Sequence, residues 1–277
     1  MRDYRMRLAD DLGRFLTLFT IAIAVLFLTL PLVLSISMSF DSRAFLGPFP
    51  PPALSLRWYA RLFSTDIYMR GLKTSLMLAL AAAVVSTALG VCAAVALDRS
   101  QFSGKNALLT FVMSPLIVPS VVTGFALLVF FAKVGVLSGF PKLLAGHIVV
   151  TMPYAVRTTL ASLVGIRRSL TEAAVSLGAT GWHAFWDVTF PLAKTGIVAG
   201  GIFAFAFSLD EVGISMFLSD PYTFTLPVAL LGMMRASFDL TIAAASVLLI
   251  AASFLIILLV DKVIGLDRVI GQGVYRN

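Results

Sequence analysis

Apolar and polar positions segregate along this chain in long blocks rather than within single helical turns. Near-continuous apolar runs occupy about 15–38, 74–97, 107–131, 143–164, 192–213 and 241–261, and the charged residues collect in the connections between them. At 1.5 Å per residue, each run is long enough to cross a hydrocarbon layer of roughly 30 Å as an α-helix. The expected fold is therefore all-α and polytopic, with six transmembrane helices and both termini on one side. Pro31, Pro115, Pro119 and Pro153 fall inside the runs and predict bent spans, because a bundle can re-satisfy the carbonyls that proline frees. Small residues cluster in the second run, at Ala79–Ala83 and again at Ala93, Ala94 and Ala96, and predict close helix approach. The first run, Phe15 to Met38, exceeds a signal-peptide core and lacks a small-x-small cleavage site, so it is expected to persist as the first span.

The connections refine this picture. Segment 39–73 holds Pro48, Pro50, Pro51 and Pro52, followed by the amphipathic stretch Leu56–Phe63 with Trp58 and Tyr59, a pattern for a helix lying at the membrane interface. Segment 214–240 carries Pro221, Pro227 and a short apolar piece, Val228–Met234, expected to dip partly into the membrane. Arg2, Arg5, Arg7 and Arg14 predict an N-terminus on the cytoplasmic side of the membrane. Connections 98–106 and 165–191 and the C-terminal tail are then cytoplasmic too, with about 13 of the 21 Lys and Arg inside and about 8 outside. The chain shows no internal repeat, and no connection is long enough for a soluble domain, so residues 1–277 read as one transmembrane domain.

Composition narrows the function classes. With 59% hydrophobic and 13% charged residues, the apolar surface exceeds what one soluble core could hide, and lipid must cover the rest. The net charge of +7 sits at the ends of apolar runs, where headgroups account for it, so no nucleic-acid partner is expected. The lone Cys92 excludes an intrachain disulfide, and His147, near the outer end of the fourth span, is far from His183 in a cytoplasmic connection. No metal, no cofactor and no catalytic constellation is expected, and no Gly-x-x-x-x-Gly-Lys-Ser/Thr loop is present to hold nucleotide. Arg157 lies within the fourth span, where it is expected to pair in the bundle or snorkel. Lys133 and Lys142, flanking the outer turn with Gly135 and Gly139, are expected among headgroups.

The 165–191 connection is built unlike a passive loop. It predicts two short helices: one capped by Ser169 or Thr171, with Glu172 in its first turn and Gly178 ending it, and a second over about Gly181–Thr189. The second would present Trp182, Phe185 and Trp186 on one face. Glu172, Ala173, Ala174, Gly178, Val188, Phe190 and Pro191 stand in the spacing Glu-Ala-Ala, three residues, Gly, nine residues, aliphatic, one residue, hydrophobic, Pro. On these residues the chain resembles the permeases of binding-protein-dependent ATP-binding-cassette importers. The resemblance implies that the helix around Glu172–Gly178 is a coupling helix between spans 4 and 5, seated in a groove of an ATPase. Glu172, Ala173, Ala174, Gly178, Val188 and Pro191 are its coupling residues.

Leu56-Arg57-Trp58-Tyr59, Thr74-Ser75-Leu76 and Ser208-Leu209-Asp210-Glu211-Val212 extend the likeness to the second permease of the spermidine, putrescine and opine importer group. Lys73 and Phe190 depart from that pattern, standing where asparagine and leucine are usual. The implied partners are two ATPase subunits, a second permease of different sequence, and a periplasmic or surface substrate-binding protein. The implied substrate is a polyamine or a related cationic or amino-acid-like solute. A phosphonate, iron or other oxyanion is the alternative, and an uncoupled channel or scaffold a more distant one. Asp210 and Glu211 lie about 19 residues beyond Pro191, roughly 28 Å of helix, hence near the outer mouth. They are candidates to attract a cation, or else to cap a helix or pair with Arg235, while Asp220 and Asp239 read as ordinary loop acids.

Overall fold

The computed structural model describes residues 2–135, 139–236 and 239–264, with side chains from Leu12 onward except at 236, 259–261 and 263–264. The C-terminal tail, expected on the cytoplasmic side, lies outside the described residues, as do the side chains of Arg2, Arg5 and Arg7 and the middle of the turn between Gly135 and Gly139. The described chain is almost wholly helical. It falls into two compact units, one of residues up to Ser64 with the stretch ending at Leu248, the other of Thr65–Ala236 with the residues from Leu249.

In the first unit, α1 (Arg2–Ser39) is one helix through Pro31. Its apolar stretch Leu12–Ser39 buries none of its most hydrophobic window. Where a helix was expected at Leu56–Phe63, α2 (Arg57–Ser64) forms and buries Trp58 and Leu62. Trp58 is held at both ends of its chemistry: the indole Nε1 donates to the Asp41 carbonyl at 2.8 Å, and the ring is covered by Arg57 at 5.0 Å. Leu240 and Ala244, from the start of α12 (Thr241–Ile264), complete the apolar cluster around it. Arg61 pairs with Asp239 at 3.1 Å, and Asp239 also accepts from the Thr241 amide, opening α12.

The second unit is organised on α3 (Asp66–Arg99), α6 (Gly139–Val164) and α9 (Phe190–Asp210). These pack closely because small residues meet. A Cβ added to Gly90 of α3 would stand 2.5 Å from the Ala155 Cβ of α6, and one on Gly200 of α9 would stand 2.8 Å from the Ala155 Cα. In lipid, where apolar burial gives helices no drive to associate, such approach is how they gain packing. Ala94, Leu97, Val156, Leu163, Ala193 and Ile197 form the apolar contact toward one end of the three helices. Ser86 and Thr151 share a hydrogen bond at 2.6 Å across α3 and α6.

The third expected span, over 107–131, bends as Pro115 and Pro119 predict, and sharply enough to divide it. α4 (Lys105–Met113) runs into a 3-10 turn (Ser114–Leu116), and α5 (Ser120–Val134) leaves at 102°. Pro115 and Pro119 cannot donate to the helical ladder, and the chain turns where they stand. Among the described residues four helices are long and apolar enough to cross a membrane, or up to six if each of two bent pairs is one span. The connection after α9 holds α10 (Gly213–Leu218) and α11 (Leu226–Ala236), the latter covering the expected apolar piece. Ser75 on α3 accepts from the Leu226 amide at 2.8 Å and so caps α11, which gives the Thr74-Ser75-Leu76 motif a structural task.

Candidate functional site

The connection after α6 begins with α7 (Arg168–Ser176), none of whose residues is buried. Glu172 and Ala173 are exposed and Ala174 half-exposed, beside the exposed apolar side chains Leu170, Val175 and Leu177. The end of α7 is a Schellman turn: the Ala179 amide reaches the Ala174 carbonyl at 3.0 Å, the Gly178 amide reaches Val175 at 2.9 Å, and Gly178 takes φ +99°. That left-handed conformation costs a residue with a side chain energy that glycine does not pay. The start differs from expectation. The helix opens one turn earlier, Arg167 stands at the cap without a side-chain bond, and Ser169 and Thr171 lie inside the helix. Glu172 is consequently past the first turn, where its charge gains little from the helix dipole.

The second expected helix is divided into α8 (Gly181–Ala184) and a π turn (Phe185–Thr189). Thr180 caps α8, its hydroxyl accepting from the His183 amide at 3.3 Å and lying 2.7 Å from His183 Nδ1. The widened turn has a cause in Pro191, near the start of α9, which has no N–H to return to the preceding turn. Trp182, Phe185 and Trp186 do gather, as the sequence predicts: Trp186 lies 5.6 Å from Trp182, 5.2 Å from Phe185 and 4.9 Å from Phe190. Val188 is half-buried, while Trp182 and Trp186 are exposed.

At the other end of α9, Asp210 is exposed and Glu211 is 6% exposed. A Glu211 carboxylate oxygen accepts from the Ile214 amide at 2.9 Å, capping α10. Neither ion pair identified among the described residues involves Arg235. Asp220 accepts from the Tyr222 and Thr223 amides, as a loop acid does. His147 is fully buried, with Nδ1 2.7 Å from the Ser208 hydroxyl and Nε2 2.9 Å from that of Ser215, so one imidazole ties α6 to α9 and α10. Tyr154 and Phe207 meet at 5.1 Å between α6 and α9, and Phe203 beside them is exposed. One turn further along α6, Arg157 is exposed in a groove of about 400 Å³ with Leu109, Met113, Leu116 and Ile117.

Residues 86–265 match the family described as the binding-protein-dependent transport system inner membrane component, well over half the chain. The chain belongs to this family. The permease is 29% identical over 247 residues to the spermidine/putrescine transport system permease protein PotC of Shigella flexneri, covering 89% of this chain and 92% of that protein. It is 31% identical over 233 residues to the putrescine transport system permease protein PotI of Escherichia coli K12, covering 82% of each. Its fold is that of a solved bacterial ABC transporter involved in import of the acidic polysaccharide alginate, with TM-score 0.69 and 18% identity, covering 93% of this chain and 98% of that one. It is thus an inner-membrane permease component of an ABC importer, and not the component that hydrolyses ATP.

Two residues that the sequence reading passed over stand at the foot of the permease's loop. Arg168 Nη2 donates to the Asp98 carbonyl at 2.8 Å, and Arg99 Nη2 to the Thr189 hydroxyl at 3.3 Å. Their signal in the sequence was slight, the pair Arg167-Arg168 ahead of α7 and the single Arg99 at the end of α3, which headgroups explained equally well.

Proposed function

We propose that this permease forms half of the membrane pathway of a polyamine importer. A second permease of different sequence forms the other half, two ATPase subunits drive it, and a periplasmic binding protein delivers the substrate. The observation that carries the substrate class is the relatedness over more than four fifths of the chain to permeases named for spermidine and putrescine. Within the pathway, Asp210 offers an exposed carboxylate to a passing ammonium group, with Glu211 beside it adding charge while its carboxylate holds α10. Tyr154, Phe203 and Phe207 add aromatic faces of the kind that attract alkylammonium ions. Both termini and the 165–191 loop face the cytoplasm, and the single domain of residues 1–277 works as one permease body.

In the loop, α7 is the coupling helix. Ala173 and Ala174 keep its face slim, Glu172 presents a carboxylate to the ATPase groove, Gly178 makes the turn, and Val188 and Pro191 start the path into α9. ATP-driven closure of the motor moves α7 and opens the spans outward, and hydrolysis returns them. The test is reconstitution of the full complex in liposomes. Spermidine or putrescine on the binding protein is expected to stimulate ATP hydrolysis and uptake, and Asp210→Asn to weaken uptake. Glu172→Lys or Gly178→Asp is expected to leave the subunit inserted and abolish both stimulation and uptake. Stimulation by an oxyanion-loaded binding protein alone would support the second reading, an oxyanion importer, for which the exposed Arg157 supplies a positive charge inside a span.

A further inference from the structure

We infer that Arg168 and Arg99 clamp the coupling loop to the inner end of α3, so that the motor's movement reaches α3 directly as well as through α6 and α9, the spans to which the loop is covalently joined. The inference rests on the coupling role proposed for α7.

Covalently, the loop continues from α6 and runs into α9; α3 ends at Arg99 in a different part of the sequence. The described side chains supply two ties across that gap. Arg168, the first residue of α7, donates to the Asp98 carbonyl across 70 residues, and Arg99, the last of α3, donates to Thr189 in the π turn across 90 residues. The first of these suits its position physically. Asp98 lies in the last turn of α3, where carbonyls have no helical donor and the helix dipole is negative, so a guanidinium both fills a bonding vacancy and meets favourable charge. Thr189 is 5% exposed, so the second tie reaches the well-packed base of the loop. Between them lies a cavity of about 240 Å³, lined by Asp98, Arg99, Arg168, Thr171, Glu172 and Thr189. Beside this gap the two arginines are the hydrogen-bonded connection between loop and α3, next to the apolar packing of Ile166 and Phe190 on the cluster that holds Ala94 and Leu97, while α7 itself buries nothing. Above it, α3 is locked to α6 and α9 through Gly90, Ala155 and Gly200, so a pull on its end travels as a rigid-body movement.

Arg168 is exposed, and its truncation leaves no buried group unpaired, so Arg168→Ala is expected to assemble. In the reconstituted complex, its uptake per ATP hydrolysed should fall about tenfold, the factor associated with losing one charge-assisted hydrogen bond. Arg168→Lys, which keeps one donor, should restore much of it, and Thr189→Val should mimic the loss through the other tie. Spin labels at Ala96 on α3 and Val175 on α7, in a Cys92→Ser background, give the readout specific to a clamp. Their separation should stay fixed through the ATP cycle in the parent and change in Arg168→Ala. If Glu172→Lys uncouples while Arg168→Ala transports normally and keeps the label separation fixed, the clamp is wrong and the coupling helix stands. If Glu172→Lys itself transports normally, the coupling role fails and the clamp falls with it.

Discussion

Single side chains at two places set the tolerance of this bundle. At the meeting of α3, α6 and α9, Gly90 and Gly200 leave no room for a Cβ against Ala155, so Gly90→Leu must push the helices apart. Overpacking of this kind costs about 1–3 kcal/mol, and the purified complex should lose thermal stability accordingly. His147→Ala acts oppositely, by subtraction: it strands the Ser208 and Ser215 hydroxyls in a dry interior, at about 1–3 kcal/mol for each orphaned group. At the end of α1 the chemistry is ionic. The Arg43 guanidinium, bonding side chain to side chain with Asp41, holds that carboxyl below its ordinary value of 3.8. A depressed acid contributes stability that is complete above its unfolded value and lost as pH falls through the folded one. The turn that anchors Trp58 should therefore keep its full resistance to proteolysis above the ordinary value of 3.8 and lose it progressively as pH falls below that, and Asp41→Asn should open it at neutral pH.

Elements were legible where hydropathy alone decides them and obscure where hydrogen bonding or packing does. In the apolar run 107–131, Pro115 and Pro119 remove donors and announce a bend, but its 102° is set by the fold, where α5 finds a seat on α10. That seat is tight: a Cβ on Gly124 would lie 2.9 Å from both the Gly213 carbonyl and the Ile214 Cα. Gly124→Leu should thus destabilise the complex in a thermal melt more than Pro119→Ala, because packing, not the missing amide alone, fixes where α5 goes. The second span begins at Asp66 rather than 74, since Arg70 and Lys73 continue the helix while lowering its hydropathy. In the loop, Gly178 was readable because one backbone conformation demands it, and the aromatic group because its spacing is short. The cap at Ser169 or Thr171 was not, because cap and interior positions one turn apart carry the same residue types. Glu211 could be read only as capping or attracting, and its bond to Ile214 needed the fold of α10.

At the scale of the whole molecule, the distribution of exposed apolar surface leaves the orientation as the decisive quantity. Phe15, Leu26 and Phe27 on α1 are each more than 60% exposed, surface that lipid or a neighbouring permease must cover. The loops at the ends of the spans carry the exposed polar backbone, and the coupling reading requires α7 to face the cytoplasm and the α10–α11 connection to face outward. Val175 and Tyr222 are exposed on those two loops, and a Cys92→Ser background removes the native thiol. With a membrane-impermeant maleimide, Tyr222→Cys should label in intact cells stripped of their outer membrane, and Val175→Cys only after the inner membrane is opened. The reverse pattern would put α7 outside, beyond reach of any ATPase, and with it every residue assigned to coupling. Labelling of Val175→Cys that is slowed by the bound ATPase would tie the same helix to its motor, because a groove that seats α7 must shield its exposed face.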